Sequence, residues 1–351
     1  MKNYNGKSLQ KVYESLGDDL SRQLFFLRVM FSVTDNFFYI DEILKLCFPG
    51  IKLIERNKQQ IVYGAGGGGK VVNDLVIGSG SGVKCFWDRD YSIPVNAYRQ
   101  KPILPPGSNY DGEQIILATS NMQYRDEMRE NCRLFGIPED RIIFDWITPF
   151  YNQYFAGDIV QYEKNEVFVD CGAYDFLNSL DFLKRCNSVK RIYAFEPNVT
   201  KLLLDNIASC GFSEIKLIEA AVGEEPGEIS FDITDNGSGS HIVANGSEEN
   251  RKVKVVRIDD MIDINDKVTF IKMDLEGYEV PALLGAQSII QRDKPKLAIS
   301  IYHKKEDIFE IPCLLHEMVA DYKFFIRQYS LSRFETVLYA ILPGARGNYH
   351  A

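Results

Sequence analysis

"VFVDCGAYDF", residues 167 to 176, is an apolar run that ends in an aspartate and a turn of small residues. Such a run is typical of a buried strand followed by a tight turn and the start of a helix. In this arrangement, backbone amides and a helix N-terminus can approach a nucleotide. A second stretch with the same outline, "IVYGAGGGGKVV", occupies residues 61 to 72. The chain therefore carries two candidate nucleotide-binding turns.

Composition narrows the class of protein. The 351 residues are 45% hydrophobic and 25% charged, which is ordinary for a globular chain and long enough for two domains. The formal net charge is -9, and no run of lysine and arginine forms a basic stripe. Because a nucleic-acid partner requires such a stripe, we expect no nucleic acid as a ligand.

Targeting signals and cysteine usage indicate the compartment. "MKNYNGKSLQ" is too polar for a signal peptide, and "LFFLRVMFSV" is interrupted by Arg28 and too short to span a membrane. The seven cysteines are scattered without zinc-site spacing, which suits thiols in a reducing compartment. We therefore predict a cytoplasmic protein without a membrane span. The sequence leaves a homo-oligomer open.

The chain divides into three predicted blocks. Residues 1–58 form a helical N-terminal segment, in which Leu20, Leu24, Leu27 and Phe31 share one face. Residues 59–150 alternate strands and helices and predict a smaller Rossmann-like α/β domain. From residue 151 to 351 the alternation begins again and runs longer.

The third block ends differently from a dehydrogenase. Its last two candidate strands, "YKFFIRQY" and "ETVLYAIL", are only a few residues apart, so they cannot be parallel and must form an antiparallel hairpin. Five alternating units that finish in such a hairpin predict the class I methyltransferase sheet, a Rossmann-like α/β fold.

Several motifs support a family resemblance. "VFVDCGAYDF", "YAFEPN", "FIKMDLEGYEVPALLGA", "PKLAISIYHKKEDIFEIP" and "RFETVLYA" together resemble the FkbM-type S-adenosylmethionine-dependent methyltransferases. The resemblance covers roughly residues 165–342, and "KMDLEGYE" followed by "SIYHK" is its most specific part. It implies methyl transfer to a hydroxyl, with a sugar or glycan-related molecule as the acceptor.

The resemblance also implies a cofactor site for S-adenosyl-L-methionine. Gly172 leaves room for the cofactor's methionine part, and Glu196, at the end of the next strand, is placed to accept both ribose hydroxyls. Many relatives carry glycine where this chain has Phe176, which questions the shape of the turn. The complete predicted set is Asp170, Gly172, Ala173, Asp175, Glu196, Glu219, Ala220 and Ala221.

Catalysis is predicted at the ends of the fourth and fifth strands of this block. Asp274 should face the reacting groups, and His303 is suited to take the proton because a neutral imidazole has a pKa near working pH. Alternatively, Asp274 and Glu276, with His303 or Asp175, could bind Mg²⁺. A histidine that only caps a turn is the structural alternative.

A loop between the third and fourth strands is the candidate lid. "DNGSGSHIVANGS", residues 235 to 247, is rich in glycine, serine and asparagine. We predict that Ser240 and His241, together with Glu276, contact the acceptor. A plain connecting loop is the alternative.

The N-terminal glycines form a dinucleotide-type fingerprint. Gly64, Gly66 and Gly69 fit the G-x-G-x-x-G pattern, and Asp88 ends the next strand. Nucleotide-sugar binding, a scaffold without ligand and NAD binding are the three interpretations. The main prediction is therefore an O-methyltransferase. The alternatives are an enzyme or nucleotide-binding protein that works through the N-terminal domain, an inactive methyltransferase fold, and methylation of nitrogen.

Overall fold

The fold is described from a computed structural model. The residues that it describes are 6–47, 53–78, 80–92, 101–119, 122–143, 153–232, 241–243, 251–330 and 333–343. The helices, in chain order, are α1 (Gly6–Ser15), α2 (Asp19–Thr34), α3 (Phe38–Cys47), α4 (Gly67–Gly78), α5 (Met122–Leu134), α6 (Leu177–Arg185), α7 (Lys201–Ser209), α8 (Ile258–Met261), α9 (Glu279–Leu284), α10 (Gln287–Asp293) and α11 (Asp307–Met318).

The strands belong to three sheets. In chain order they are β1 (Gln59–Tyr63), β2 (Gly82–Trp87), β3 (Ile103–Leu104), β4 (Ile115–Leu117), β5 (Ile142–Ile143), β6 (Glu166–Cys171), β7 (Val189–Phe195), β8 (Ile215–Ile218), β9 (Ala221–Val222), β10 (Gly227–Asp232), β11 (His241–Val243), β12 (Arg251–Val256), β13 (Phe270–Met273), β14 (Lys296–Ser300), β15 (Lys323–Gln328) and β16 (Thr336–Ile341).

The chain forms two compact units. The large unit comprises Met1–Asp35, Asn152–Arg327 and Glu335–Ala351, and the small unit comprises Asn36–Tyr151 and Gln328–Phe334. Helices α1 and α2 thus belong to the large unit, whereas α3 belongs to the small unit. Among the described residues, no helix has both the length and the apolarity to cross a membrane.

A seven-stranded sheet forms the centre of the large unit. Its order is β15-β16-β14-β13-β6-β7-β8. Strands β14, β13, β6, β7 and β8 pair in parallel, and β16 pairs antiparallel with β14. Every residue of β6, β13 and β14 is buried, as expected for parallel strands covered on both faces. The predicted methyltransferase-type α/β fold is thereby confirmed.

Helix α2 packs against this sheet through one face. Asp18 caps its N-terminus by accepting a hydrogen bond from the Ser21 amide at 2.8 Å. The Ser21 hydroxyl in turn accepts from the amide of Ile326 in β15 at 2.9 Å. Leu24 and Phe31 are buried on the predicted apolar face. Helix α2 is therefore part of the core of the large unit.

The other two sheets are smaller. In the large unit, β10 pairs antiparallel with β11 and β12, and β12 pairs in parallel with β9. In the small unit, the order is β3-β2-β1-β4-β5 and all pairs are parallel. The small unit is therefore a doubly wound α/β sheet, with the glycine-rich turn between β1 and α4 at the centre of the sheet.

Candidate active site

The turn after β6 requires a glycine at its first position. Gly172 has a φ of +80°, and a Cβ at this position would collide with the carbonyl oxygen of Asp274. The turn therefore passes directly against the chain that follows β13. Ala173, the next residue, is buried at 1% exposure. The tight turn of small residues predicted from the sequence is present, and the Asp274 carbonyl fills the space where a Gly172 side chain would lie.

Phe176 occupies a backbone conformation that favours glycine. Its φ is +70°, in the left-handed region, and it caps the N-terminus of α6. A non-glycine residue pays roughly 1 kcal/mol for this conformation. Its ring is completely buried, so apolar burial offsets the cost. The structure thus accommodates the residue that departs from the family pattern without opening the turn.

Glu196 connects the end of β7 to the same turn. Its Oε2 accepts a hydrogen bond from the Tyr174 amide at 2.9 Å, and its Oε1 accepts one from the Asn198 amide at 2.8 Å. Burial raises the pKa of the carboxyl group, and the two amide donors oppose that shift. Each carboxylate oxygen keeps a second acceptor position. Glu196 can therefore hold the turn and still accept hydroxyl donors.

Asp170 lies beneath the turn, completely buried. Its Oδ1 lies 3.1 Å from the ammonium of Lys272, and its Oδ2 accepts from the hydroxyl of Ser179 at 2.7 Å. Lys272 also donates to the carbonyl oxygen of Gly172 at 2.6 Å. Lys272 and Ser179 are thus the side-chain partners of Asp170, and its contact with the cofactor stays a prediction.

The remaining predicted cofactor residues occupy two places. Asp175 accepts from the Leu177 amide at 3.0 Å, at the start of α6. Glu219 is exposed after β8, whereas Ala220 and Ala221 are buried at 1% and 6% exposure. Their contact with a cofactor stays a prediction.

Asp274 directly follows β13, and its carboxylate accepts hydrogen bonds from two tyrosine hydroxyls. Tyr154 donates to its Oδ2 at 2.8 Å, and Tyr302 donates to its Oδ1 at 3.5 Å. The Tyr154 hydroxyl also lies 3.3 Å from the hydroxyl of Ser300, the last residue of β14. Burial raises the pKa of Tyr154 well above its usual value, so this tyrosine is a neutral hydrogen-bond donor. The carboxylate is therefore held in one orientation.

His303 follows β14 and lies among three carboxylates. Its Nε2 is 3.5 Å from Asp274 Oδ1 and 3.3 Å from Glu276 Oε2, and its Nδ1 is 2.8 Å from Glu279 Oε1. Its side chain is only 8% exposed. The predicted pair of Asp274 and His303 is thus brought together, and Glu279 is a partner that the sequence analysis missed.

Glu279 is the completely buried member of this group. Its Oε1 accepts from the Leu275 amide at 2.8 Å as well as from His303. With Nδ1 occupied in this way, Nε2 is the imidazole nitrogen that faces Asp274. The only signal in the sequence was an additional acidic residue in "DLEGYE", which gives no indication of burial.

The surrounding charges change the acidity of His303. Burial lowers the pKa of the imidazole, but the hydrogen bond and charge of Glu279, with the charges of Asp274 and Glu276, raise it to about 9. The sequence analysis expected a pKa near neutrality. That expectation is wrong for this environment, because three carboxylates stabilise the protonated ring.

Two further acids, the half-buried Glu335 and the buried Asp307, lie close to this group. Burial, reinforced by the charge of Asp274, raises the pKa of Glu335 to about 7. Glu335 accepts a hydrogen bond from the side-chain amide of Gln153. Burial and the charge of Glu279 raise the pKa of Asp307 to about 7 as well. These acids add hydrogen-bonding groups near His303 whose protonation changes near neutral pH.

Ligand atoms of Asp274, Glu279 and His303 lie within 4.8 Å of one another, which meets the geometric requirement for a metal ion. The hydrogen bond between Glu279 and His303 already accounts for their proximity. Mg²⁺ also prefers an all-oxygen environment that includes water. We therefore interpret this cluster as a hydrogen-bonded group, and the Mg²⁺ prediction gains no support from it.

The predicted lid lies largely outside the description. Ser240 is outside the described residues, and His241 begins β11 without a described side chain. Glu276 is partly exposed and has a φ of +50°. Of the predicted acceptor residues, Glu276 alone is therefore placed next to His303.

The predicted second nucleotide site lies in the small unit. Gly64 and Gly66 lie in the turn between β1 and α4, Gly69 lies in the first turn of α4, and Asp88 follows β2. The Ala65 amide in this turn donates to Asp88 Oδ2 at 2.6 Å. The glycine turn and the acidic residue are thus joined directly.

Residues 170–329 match the model of the Methyltransferase FkbM domain. This part of the chain is accordingly an FkbM-type methyltransferase domain, and the protein contains a methyltransferase domain. No curated protein matches the chain significantly.

Solved structures give more distant similarities. Methyltransferase FkbM from Methylobacillus flagellatus KT is 20% identical, with 84% of this chain and 92% of that chain covered and a TM-score of 0.45. An rRNA methylase from Streptococcus thermophilus is 13% identical, with 55% and 94% covered and a TM-score of 0.33. A putative rRNA methylase from Clostridium thermocellum is 10% identical, with 52% and 88% covered and a TM-score of 0.34.

Proposed function

We propose that the large unit is an S-adenosylmethionine-dependent O-methyltransferase that methylates a hydroxyl of a sugar or glycan-related acceptor. The observation that carries the proposal is the group formed by Glu279, His303 and Asp274 within the FkbM-type domain. A carboxylate-held imidazole beside a second carboxylate is suited to removing a hydroxyl proton.

The turn after β6 fits the cofactor. Glu196 keeps acceptor positions for two ribose hydroxyls while its present partners are backbone amides, and Gly172 lets the turn pack directly against the Asp274 carbonyl. When bound, S-adenosylmethionine supplies an electrophilic methyl group on a sulfonium. Lys272 supports the site from below, because its ammonium binds the Gly172 carbonyl and neutralises Asp170.

His303 and Asp274 have separate tasks in the proposed reaction. Asp274, held by the Tyr154 hydroxyl, accepts a hydrogen bond from the acceptor hydroxyl and orients it. The neutral form of His303 would take the hydroxyl proton at Nε2 as the oxygen gains the methyl group, with S-adenosylhomocysteine as the leaving group. Since the pKa of the imidazole is about 9, only a small fraction is neutral at pH 7, and turnover should rise with pH.

Glu279 is a positioning residue in this mechanism. Its carboxylate accepts a hydrogen bond from the Nδ1–H of His303 and stabilises the imidazolium that forms after proton transfer. Its complete burial strengthens this electrostatic contribution.

A hydroxyl-rich acceptor matches the polar groups around His303. Asp274, Glu276 and Glu335 offer carboxylate oxygens, and Gln153 offers an amide. Carboxylates accept hydrogen bonds from neighbouring hydroxyls, which sugars supply in number. The family resemblance supports the same acceptor class.

The scattered cysteines support action in the cytoplasm.

The test is methyl transfer from labelled S-adenosylmethionine to a panel of free sugars, nucleotide-linked sugars and glycans. We expect label in one class of hydroxyl acceptor, with loss of transfer in His303→Ala. Transfer to an amine, or no transfer to any acceptor by a protein that binds the cofactor, would reject O-methylation. No cofactor binding would favour the alternative, an inactive fold in a protein that works through the small unit.

A further inference from the structure

A cavity of about 280 Å³ lies in the small unit, at the carboxyl end of β1. Strand β1 pairs with β2 on one side and β4 on the other, so the chain connections diverge at this point. In open parallel sheets, ligands bind in the crevice at such a switch point. The glycine turn and Asp88 line the cavity, and the methyltransferase proposal makes no use of it.

The glycines of this turn fall into two groups. A side chain at Gly68 or Gly69 would collide with the carbonyl oxygens of Ala118 and Gly64, respectively, so these glycines are required for packing α4 on the sheet. Gly66 and Gly67 have open space around the position of a Cβ and no positive φ. Neither packing nor backbone conformation requires glycine at these two positions.

A ligand would explain the bare backbone at Gly66 and Gly67. These residues line the cavity at the beginning of α4, a helix of 12 residues. Phosphate oxygens can approach main-chain amides closely only where no side chain intervenes. The partial positive charge of the helix N-terminus favours the same ligand.

Asp88 supplies the second recognition element. It is half-buried at the wall of the cavity, and its two oxygens accept from the Ala65 amide at 2.6 Å and the Asp90 amide at 3.0 Å. These bonds fix the carboxylate, while each oxygen keeps a further acceptor position. A fixed carboxylate at the end of the second strand is suited to the vicinal hydroxyls of a ribose.

We propose that this cavity binds a nucleoside diphosphate, with the diphosphate at Gly66 and Gly67 and the ribose hydroxyls on Asp88. Its volume lies near the lower end of the range for small-molecule sites, roughly 300 Å³, which suits one nucleoside diphosphate better than a whole dinucleotide. Arg89 adds a positive charge at the wall, where its pairing with Glu127 is solvent-exposed.

The test is calorimetry of the full-length protein with ADP and UDP. We expect one of them to bind, and Gly66→Phe to lose at least about tenfold in affinity because the ring fills the phosphate position. Asp88→Asn should weaken binding by about tenfold and remove the preference for the ribonucleotide over its 2′-deoxy form. UDP-glucose is compared with UDP, and NAD with ADP. Tighter binding of UDP-glucose would indicate a nucleotide sugar as the source of the nucleoside diphosphate, and tighter binding of NAD would indicate a dinucleotide.

Two controls make the result decisive. Gly157→Phe places the same ring at an exposed glycine with open space in the large unit and should leave binding unchanged. Glu196→Ala should also leave it unchanged, since Glu196 lies in the large unit. Trp87 is buried in the small unit, so its fluorescence reports whether Gly66→Phe remains folded. If Gly66→Phe does not fold, the nucleotide affinity of Asp88→Asn tests the proposal.

Three results would overturn the inference. The first is that the wild type binds neither nucleotide. The second is that folded Gly66→Phe and Asp88→Asn bind as tightly as the wild type. The third is that Glu196→Ala abolishes binding. The last would place the nucleotide in the large unit, and the methyltransferase proposal would stand unaffected.

Discussion

Glu279 Oε1 lies 2.8 Å from His303 Nδ1, and this hydrogen bond determines which imidazole nitrogen faces Asp274. Nε2 is thereby directed to Asp274 at 3.5 Å. The buried carboxylate also raises the basicity of the ring, because it stabilises the imidazolium. Orientation and basicity of the proposed base thus depend on one residue.

Glu279→Gln should separate these two effects. The amide oxygen can still accept from Nδ1, but the negative charge is lost, so the pKa of His303 should fall from about 9 towards its usual value. We expect the midpoint of the rise of kcat with pH to shift by about one to two pH units towards lower pH. Glu276→Gln is the matched control, with a smaller shift because Glu276 is 39% exposed. An unchanged midpoint in Glu279→Gln would exclude its effect on His303.

His303→Ala should lower kcat by roughly a hundredfold to ten-thousandfold, the range for loss of a general base. Cofactor affinity should hardly change, since Gly172 and Glu196 are held by Lys272 and by backbone amides and not by His303. In the wild type, turnover should increase about tenfold per pH unit below pH 9, because only the neutral ring accepts a proton. Steady-state rates across pH measure both effects. Normal turnover of the alanine variant would refute the base assignment.

Lys272→Met should destabilise the large unit by about 3–5 kcal/mol, since it leaves the buried Asp170 without its cation. S-adenosylhomocysteine affinity should fall too, because Lys272 holds the Gly172 carbonyl. Urea unfolding followed by circular dichroism measures the first effect. The double variant Asp170→Asn, Lys272→Met should recover part of the stability. If the single variant is as stable as the wild type, the pair has no structural role.

The α/β fold class, with alternating strands and helices, could be predicted from the sequence. Strands such as Glu166–Cys171 are continuous buried apolar runs, and the short interval between the last two strands excluded a parallel pairing. Both the apolar runs and the interval between two strands can be read from short segments of the sequence. The small strand β3 was missed because two residues, Ile103–Leu104, give no detectable period.

The electrostatics of the site could not be predicted in the same way. Lys272 and Asp170 are neighbours across two strands, and Glu279 reaches His303 from a helix that begins five residues after Asp274. Which acidic residues are buried depends on tertiary packing. The sequence therefore identified His303 but assigned it an ordinary pKa.

Binding of S-adenosylhomocysteine, measured by calorimetry on the wild type and Glu196→Ala, tests the central claim most directly. Glu196 is 7% exposed, and the account predicts binding by the wild type and a loss of at least about tenfold in the variant. Glu225→Ala, at an exposed glutamate, is the control that should bind normally. No binding by the folded wild type, or equal affinity in Glu196→Ala, would contradict the assignment of this site to the methyl donor.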